Sequence, residues 1–172
     1  MLRPTTRLLL AIGSFLVGAY LLVAGDYSGV LLLGGAAYLG YSYFRYGVVW
    51  QAFREVALGR MEPAARLLRK VTQPESLGSE QRAYFELASG LVCASRVENA
   101  NAEAHLRRAL EHQLRSENDR ALAEAVLAQL LVARDELVEA RAIVERAVTR
   151  ECRPAIAARI KTMREQLADP PD

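Results

Sequence analysis

The side chains best suited to chemistry in this chain are two histidines, His105 and His112, and two cysteines, Cys93 and Cys152. The histidines lie seven residues apart on one predicted helix, and two helical turns are too long a separation for both imidazoles to bind one metal ion. The cysteines lack the CxxC spacing of redox and metal motifs, and a nucleophilic thiol would require a neighbouring base. The pattern therefore favours packing or solvent-exposed roles for all four side chains.

The remaining sequence offers no recognisable catalytic motif. It has no glycine-rich phosphate loop, no HExxH and no GxSxG, the motifs that place phosphate, zinc or a nucleophilic serine. From Tyr46 onward, basic and acidic side chains are equal in number, whereas nucleic-acid binding requires an excess of positive charge against phosphates. We therefore expect no catalytic or metal site, no cofactor, no small-molecule substrate and no nucleic-acid partner.

The elements that must position these residues begin with an apolar region. Residues 8–25 form a run of 18 without a charge, which as a helix spans about 27 Å, close to the thickness of the bilayer core. A second apolar segment covers residues 29–46, and the few polar residues between the two predict an antiparallel pair. The sequence thus predicts a transmembrane hairpin at 1–45, with spans at 8–25 and 29–46.

Arginines flank the hairpin on the side of both chain ends, at Arg3 and Arg7 before it and at Arg45 and Arg54 after it. Because positively charged flanks stay in the cytoplasm, we expect a multi-pass protein of the cell membrane, of the bacterial inner-membrane type, with cytoplasmic N- and C-termini. A rival interpretation is a cleaved secretory signal, although its apolar core is usually only about 7–15 residues long.

Small residues recur four apart in both predicted spans, at Ser14 and Gly18 and again at Ala36 and Gly40. This spacing lets membrane helices approach closely. The alternative is that glycine and alanine are simply common in such helices. Close packing within the hairpin and self-association through it are the expectations that follow.

Beyond the hairpin, small residues recur every 38 positions on two predicted helices per unit. They are Ala52, Gly90 and Ala128 on the first helix and Ala64, Ala102 and Ala140 on the second. A small side chain is required where two helix axes cross at close range. Each unit is therefore predicted to be a helix hairpin whose crossing is packed by these residues.

This pattern resembles the tetratricopeptide repeat (TPR) family. The residues that carry the resemblance are Gly90, Ala102, Leu106 and Ala109 in the middle unit and Ala128, Leu131, Ala140, Val144 and Ala147 in the last. The family's period is about 34 residues, so the longer period here indicates longer connections. The resemblance implies an all-α fold, with a helical-hairpin solenoid of about three repeats at 46–168. A capping helix is predicted after Pro154, at 155–168, and a disordered tail at 169–172.

In the resembled family, the first helices of the repeats line a surface that binds partner proteins. The corresponding residues predicted here are Tyr84, Leu87, Leu91, Leu122 and Gln129. We thus expect a membrane-anchored adaptor that binds a protein partner through a cytoplasmic groove. Two alternatives remain: a structural or assembly subunit of a larger membrane complex with its repeats permanently buried, and a purely packing role for Leu87 and Leu91.

Overall fold

A computed structural model describes residues 4–25 and 27–168, with side chains for 13–25, 27–37 and 47–168. This part of the chain is helical and has no strand, which confirms the predicted all-α class. The chain divides into two compact units, Met1–Val48 and Val49–Asp172, close to the predicted boundary after residue 45. The predicted disordered tail, 169–172, lies outside the described residues.

The first unit contains two helices joined by a tight turn, α1 (Pro4–Val23) and the first part of α2 (Ser28–Ala57). Gly25 has a φ of +83° in that turn, a conformation that glycine adopts without strain. The helices meet at Gly18 and Gly29, since a Cβ added to Gly29 would lie 2.5 Å from the Gly18 carbonyl oxygen. Among the described residues, no helix is both long enough and apolar enough to cross a membrane.

The small residues of the hairpin play different parts from those predicted. Gly18 is at the helix contact and Ala36 is buried, but Ser14 is only half-buried. Gly29, which the four-residue spacing did not select, is the partner of Gly18. The predicted contact at Gly40 lies outside the residues whose side chains are described.

Helix α2 runs past the predicted end of the second span. The span was placed at 29–46, whereas the helix continues without a break to Ala57. No proline interrupts this stretch, and the first backbone conformation that stops the helix is at Gly59, with a φ of +75°. One helix therefore supplies both the second predicted span and the first helix of the repeat region.

The second unit continues as a series of helices in which each packs on the next. After α2 come α3 (Met61–Leu68), a 3-10 turn (Pro74–Ser76), α4 (Ser79–Ser95), α5 (Asn99–Glu111), α6 (Glu117–Val132), α7 (Leu137–Val148) and α8 (Pro154–Ala168). The pairs α4–α5 and α6–α7 form helix hairpins, and the end of α2 packs with α3 and α4 around a buried aliphatic cluster. Helix α8 packs on both α6 and α7 through Ile160, Met163 and Leu167.

The turns inside the hairpins repeat at the predicted period. Gly59, Val97 and Asp135 are each one period apart and have φ angles of +75°, +62° and +65°. In each turn the following amide donates to a carbonyl five residues earlier, on Glu55, Cys93 and Leu131, at 2.8–3.0 Å. The amide of the left-handed residue itself donates to the carbonyl three residues earlier. The two bonds together match the pattern of paired hydrogen bonds that ends a helix in a Schellman motif.

All six predicted crossing residues are buried: Ala52, Gly90, Ala128, Ala64, Ala102 and Ala140. The crossing of α4 and α5 is tight, because a Cβ on Gly90 would lie 2.8 Å from Cγ of Leu106 and 3.3 Å from the Ala102 carbonyl oxygen. Only glycine fits there without a shift of the Leu106 side chain or of the helix that carries it.

Candidate functional site

The second unit carries an open groove of about 680 Å³, lined by α2, α4 and α6, with α8 along its end. Phe53, Leu91 and Gln129 come one each from α2, α4 and α6, are successively one repeat period apart in the sequence, and all line the groove. The groove is thus a product of the repeat, because equivalent positions on successive hairpins face the same side.

The character of the groove changes along its length. At the α2–α3 end the lining is apolar, with Phe53, Val56 and Met61. Toward α8 the lining becomes polar, and its side chains there include Asn118, Asp119, Gln129, Arg153 and Arg159. Arg159 donates a hydrogen bond to the side-chain oxygen of Gln129, which links α8 to α6 at this end.

The structure separates the five residues predicted to bind a partner. Leu91, Leu122 and Gln129 line the groove. Tyr84 and Leu87 are only 2% and 0% exposed, so their prediction as groove residues is wrong. The reason is the phase of α4, which turns Tyr84 under the aromatic side chains of α2 and places Leu87 in the helix interface.

Tyr84 joins three helices inside the unit. Its ring lies 4.5 Å from Trp50 and 5.0 Å from Phe53, measured between ring centroids. Its hydroxyl donates to Asp119 on α6 at 2.9 Å. Burial and the Asp119 carboxylate raise the pKa of Tyr84 to about 12, so the hydroxyl keeps its proton. Tyr84 therefore supports the floor of the groove from beneath.

Two buried carboxylates were missed by the sequence reasoning. Glu86 on α4 is 4% exposed and Glu124 on α6 is 3% exposed, and the two are one repeat period apart. A buried carboxylate requires a charged or hydrogen-bonding partner. The recurrence of glutamate at the repeat period, amid apolar residues on both helices, was the signal that could have found them.

Each buried glutamate is paired with the second helix of its own hairpin or the turn after it. Oε2 of Glu86 contacts Nδ1 of His105 at 2.6 Å and accepts from Nε of Arg108 at 3.2 Å. Burial acts to raise the pKa of Glu86, but the His105 hydrogen bond and the Arg108 charge outweigh it and lower the pKa. The carboxylate therefore stays ionised.

Glu124 has a stronger partner than Glu86. Arg150 donates to both of its carboxylate oxygens, at 2.6 and 2.8 Å, and to Glu117 at 2.6 Å. Such two-pronged guanidinium–carboxylate contacts fix geometry as well as charge. The pKa of Arg150 is raised by its hydrogen bond with Glu124, so the pair keeps both charges. These contacts fasten α6 to the end of α7.

The histidine and cysteine side chains do not converge. His105 is engaged with Glu86, and His112 is half-buried at the end of α5. Burial and the neighbouring Glu98 raise the pKa of the Cys93 thiol, which disfavours the reactive thiolate. Within the described part of the chain, no three His, Cys, Asp or Glu side chains are grouped as metal ligands would be.

A second cavity, of about 740 Å³, lies beside α8, between that helix and the α6–α7 hairpin. Val132, Leu137 and Met163 give it an apolar lining, with Arg141 and Arg159 at its edge. The two cavities share Gln129 and Arg159. Helix α8 therefore borders both.

The groove presents apolar surface, side-chain amides and guanidinium groups to its opening. These groups suit the burial of apolar side chains and hydrogen bonding to a polar ligand. No family model, curated protein or solved structure matches the chain.

Proposed function

We propose that this protein is a membrane-anchored adaptor that binds a protein partner in the groove of its second unit. The observation that carries the proposal is the groove itself, about 680 Å³ in volume, whose apolar lining includes Phe53, Leu91 and Leu122 from three successive hairpins. Exposed apolar surface of this kind marks interaction sites in folded proteins. Aromatic and aliphatic anchors in such grooves carry most of the binding free energy.

The proposed architecture behind the groove is a TPR-like solenoid of three hairpins with α8 as its cap. It is supported by two independent series at the repeat period, the left-handed turns at Gly59, Val97 and Asp135 and the buried pair Glu86 and Glu124. In solenoids each hairpin packs only on its neighbours, and the last hairpin needs a covering element. The buried stripe of α8 fits that role.

The proposed anchor is the hairpin at 8–25 and 29–46, with both termini in the cytoplasm. Its support is the uncharged run at 8–25 and the exposure of large apolar side chains on both helices, which reaches 90% at Val23 and 82% at Leu31. Surface of this kind is suited to lipid. The test is alkaline carbonate extraction: an integral protein stays in the membrane pellet, and release into the supernatant would contradict the anchor.

The partner-binding function is tested with leucines of the groove. The full-length wild type and the variants Leu91→Ala and Leu122→Ala are purified in mild detergent, and co-purifying proteins are identified. Loss of a buried aliphatic anchor should weaken binding by about 1–3 kcal/mol. Val138→Ala, a 90% exposed apolar residue of α7 outside the groove, is the control.

The readout separates binding from folding, because each variant is also melted and followed by helical circular dichroism. Loss of the partner with an unchanged melting temperature supports the groove. Parallel loss of partner and stability would assign Leu91 and Leu122 to the core. Retention of the partner by both variants would contradict the proposal.

A permanently assembled structural subunit is the second candidate. The observation that favours it is apolar surface outside the groove, where Val132 and Leu137 line the second cavity and are each 38% exposed. A subunit buried on several sides would need such additional contacts. In that case Leu137→Asp should release the partner as effectively as groove variants do, whereas the adaptor should tolerate it.

A further inference from the structure

The polar end of the groove carries two arginines on the α8 side. Arg153 immediately precedes α8 and Arg159 lies on it, and both line the groove. Within the described part of the chain, neither guanidinium forms an ion pair. Nearby arginines differ, since Arg150 is paired with Glu124 at 2.6 Å and Arg164 with Glu145 at 2.8 Å.

The carboxylate at this end of the groove forms hydrogen bonds with other side chains and not with the two arginines. Asp119 also lines the groove, but Oδ2 accepts from the Tyr84 hydroxyl at 2.9 Å and Oδ1 accepts from the Asn118 amide at 3.3 Å. The Asn118 side-chain oxygen in turn accepts from the backbone amide of Arg153 at 2.9 Å. No glutamate is among the described residues that line the groove.

Two arginines against the single carboxylate of Asp119 leave this end with a net positive charge, while the opposite end is apolar. Among the residues that the structure describes, Arg159 donates to the neutral amide of Gln129 and to no acidic side chain. Both arginines are exposed, and a guanidinium group binds a carboxylate through charge-assisted hydrogen bonds. Phe53, Val56 and Met61 at the other end offer only apolar contact. One end of the groove is thus suited to apolar side chains and the other to an acidic side chain.

We propose that the groove takes a protein segment that is amphipathic along its length. Apolar side chains of the segment occupy the α2–α3 end, and an acidic side chain meets Arg153 and Arg159. This inference rests on the proposed function and names the chemistry of the partner. A protein segment suits the site better than a lipid tail, because the amide and guanidinium groups at the polar end would have no partner on an acyl chain.

The probe is a random dodecapeptide library displayed on phage, selected against the full-length chain in mild detergent. The expected result is a set of enriched peptides that combine apolar residues with an aspartate or glutamate toward one end. Synthetic copies in which that residue is replaced by its amide, Glu→Gln or Asp→Asn, should bind about threefold to tenfold more weakly. Added salt should reduce the difference, because it screens charges at an exposed rim.

The matched variants are Arg153→Gln with Arg159→Gln, against Arg66→Gln on α3, an exposed arginine outside the groove. The double variant, called the rim variant, should bind the acidic peptide about threefold to tenfold more weakly and no longer bind it more tightly than the amide copy. The Arg66→Gln control should bind both peptides as the wild type does. Unchanged melting of all variants shows that the fold is intact.

The contradicting outcomes are distinct. Peptides that depend on Leu122 but bind equally with acid or amide, and equally to the rim variant, would overturn the acidic-partner inference and leave the groove function standing. Peptides indifferent to both Leu122→Ala and the rim variant, or no enriched peptide at all, would overturn both.

Discussion

At Val97 the backbone adopts a conformation that its side chain disfavours. Its φ of +62° lies in the left-handed region, where a β-branched residue clashes with its own backbone. The equivalent turn residue of the first hairpin is Gly59, and that of the third is Asp135. The first hairpin thus has the unstrained residue and the second the most strained one.

Val97→Gly should consequently stabilise the fold by about 1 kcal/mol, because relief of the left-handed strain exceeds the extra flexibility that glycine gives the unfolded chain. The side chain is 77% exposed, so little packing is lost. The reverse change, Gly59→Val, should destabilise by a similar amount. Thermal unfolding of the full-length variants measures both, and a lower melting temperature for Val97→Gly would contradict the assignment.

Glu86 makes stability depend on pH in the acid range. The pKa of Glu86 is lower in the folded state than in the unfolded chain. Its contribution to the free energy of unfolding is therefore complete above the unfolded pKa of about 4.3 and is lost as the pH falls through the lower pKa of the folded state. At neutral pH, Glu86→Gln should cost about 1–3 kcal/mol. The difference from the wild type should narrow below about pH 4. Glu75→Gln, at an exposed position, is the control, and a difference independent of pH would contradict this account.

Single residues were predictable from the sequence to different degrees. The six small crossing residues followed from period and size, since few other side chains fit where helices meet. The burial of Tyr84 did not follow, because it depends on rings of α2 that lie far from it in the sequence. Pairs such as Glu124 with Arg150 join different elements, and no local pattern specifies which arginine is the partner.

At the scale of elements, the crossing of α4 and α5 sets two physical effects against each other. Gly90→Ala inside a helix normally stabilises by about 0.5–1 kcal/mol through backbone entropy. Here the new Cβ would lie 2.8 Å from Cγ of Leu106, and overpacking costs about 1–3 kcal/mol. We expect net destabilisation.

The control for this change is Gly47→Ala, in α2, where a Cβ would meet nothing within 4 Å. It should be neutral or stabilising, since only the backbone term acts. The two melting temperatures should therefore shift in opposite directions or by clearly different amounts. Stabilisation by Gly90→Ala would show that the helices can separate freely at the crossing.

Elements were more predictable than their ends and phases. The hairpins and α8 followed from periodicity, and α8 begins at Pro154, one residue before its predicted start. The predicted end of the second span at residue 46 did not reveal the end of the helix, because α2 continues until the backbone turns at Gly59. The phase of α4 was misjudged because it is apolar around most of its circumference.

For the whole molecule, the proposed topology makes a prediction about its two thiols. Cys93 and Cys152 are both free and half-buried in the second unit. If that unit is cytoplasmic, a membrane-impermeant thiol reagent should leave both unlabelled in intact cells and label them after permeabilisation. Labelling before permeabilisation would contradict the topology, and reporter enzymes fused to the C-terminus provide an independent check.

The groove itself could be predicted only in outline. Its existence on the first helices of the repeats was expected, and three of the five predicted residues line it. Arg153, Ile156 and Arg159 were not expected there, because their position depends on how α8 packs on α6 and α7. Tertiary packing of a terminal element leaves no local trace in the sequence.

The turns and the buried glutamates recur at the same period, which limits the deletions that the gene can tolerate. A deletion that joins two repeat helices keeps their buried faces in phase when it removes a whole period. Deletion of 88–125 removes one whole period and joins Leu87 to Val126 within one helix. It also brings Glu86 to the place of Glu124, opposite Arg150, so the shortened protein should still melt cooperatively.

Deletion of 88–123 removes two residues fewer and should fail. It would rotate the joined helix by roughly 200°, turning its buried face toward solvent. Recombination within such a gene would therefore yield folded descendants that differ by multiples of one hairpin. Equal melting of the two deletion variants would show that length in this lineage is free to drift one residue at a time.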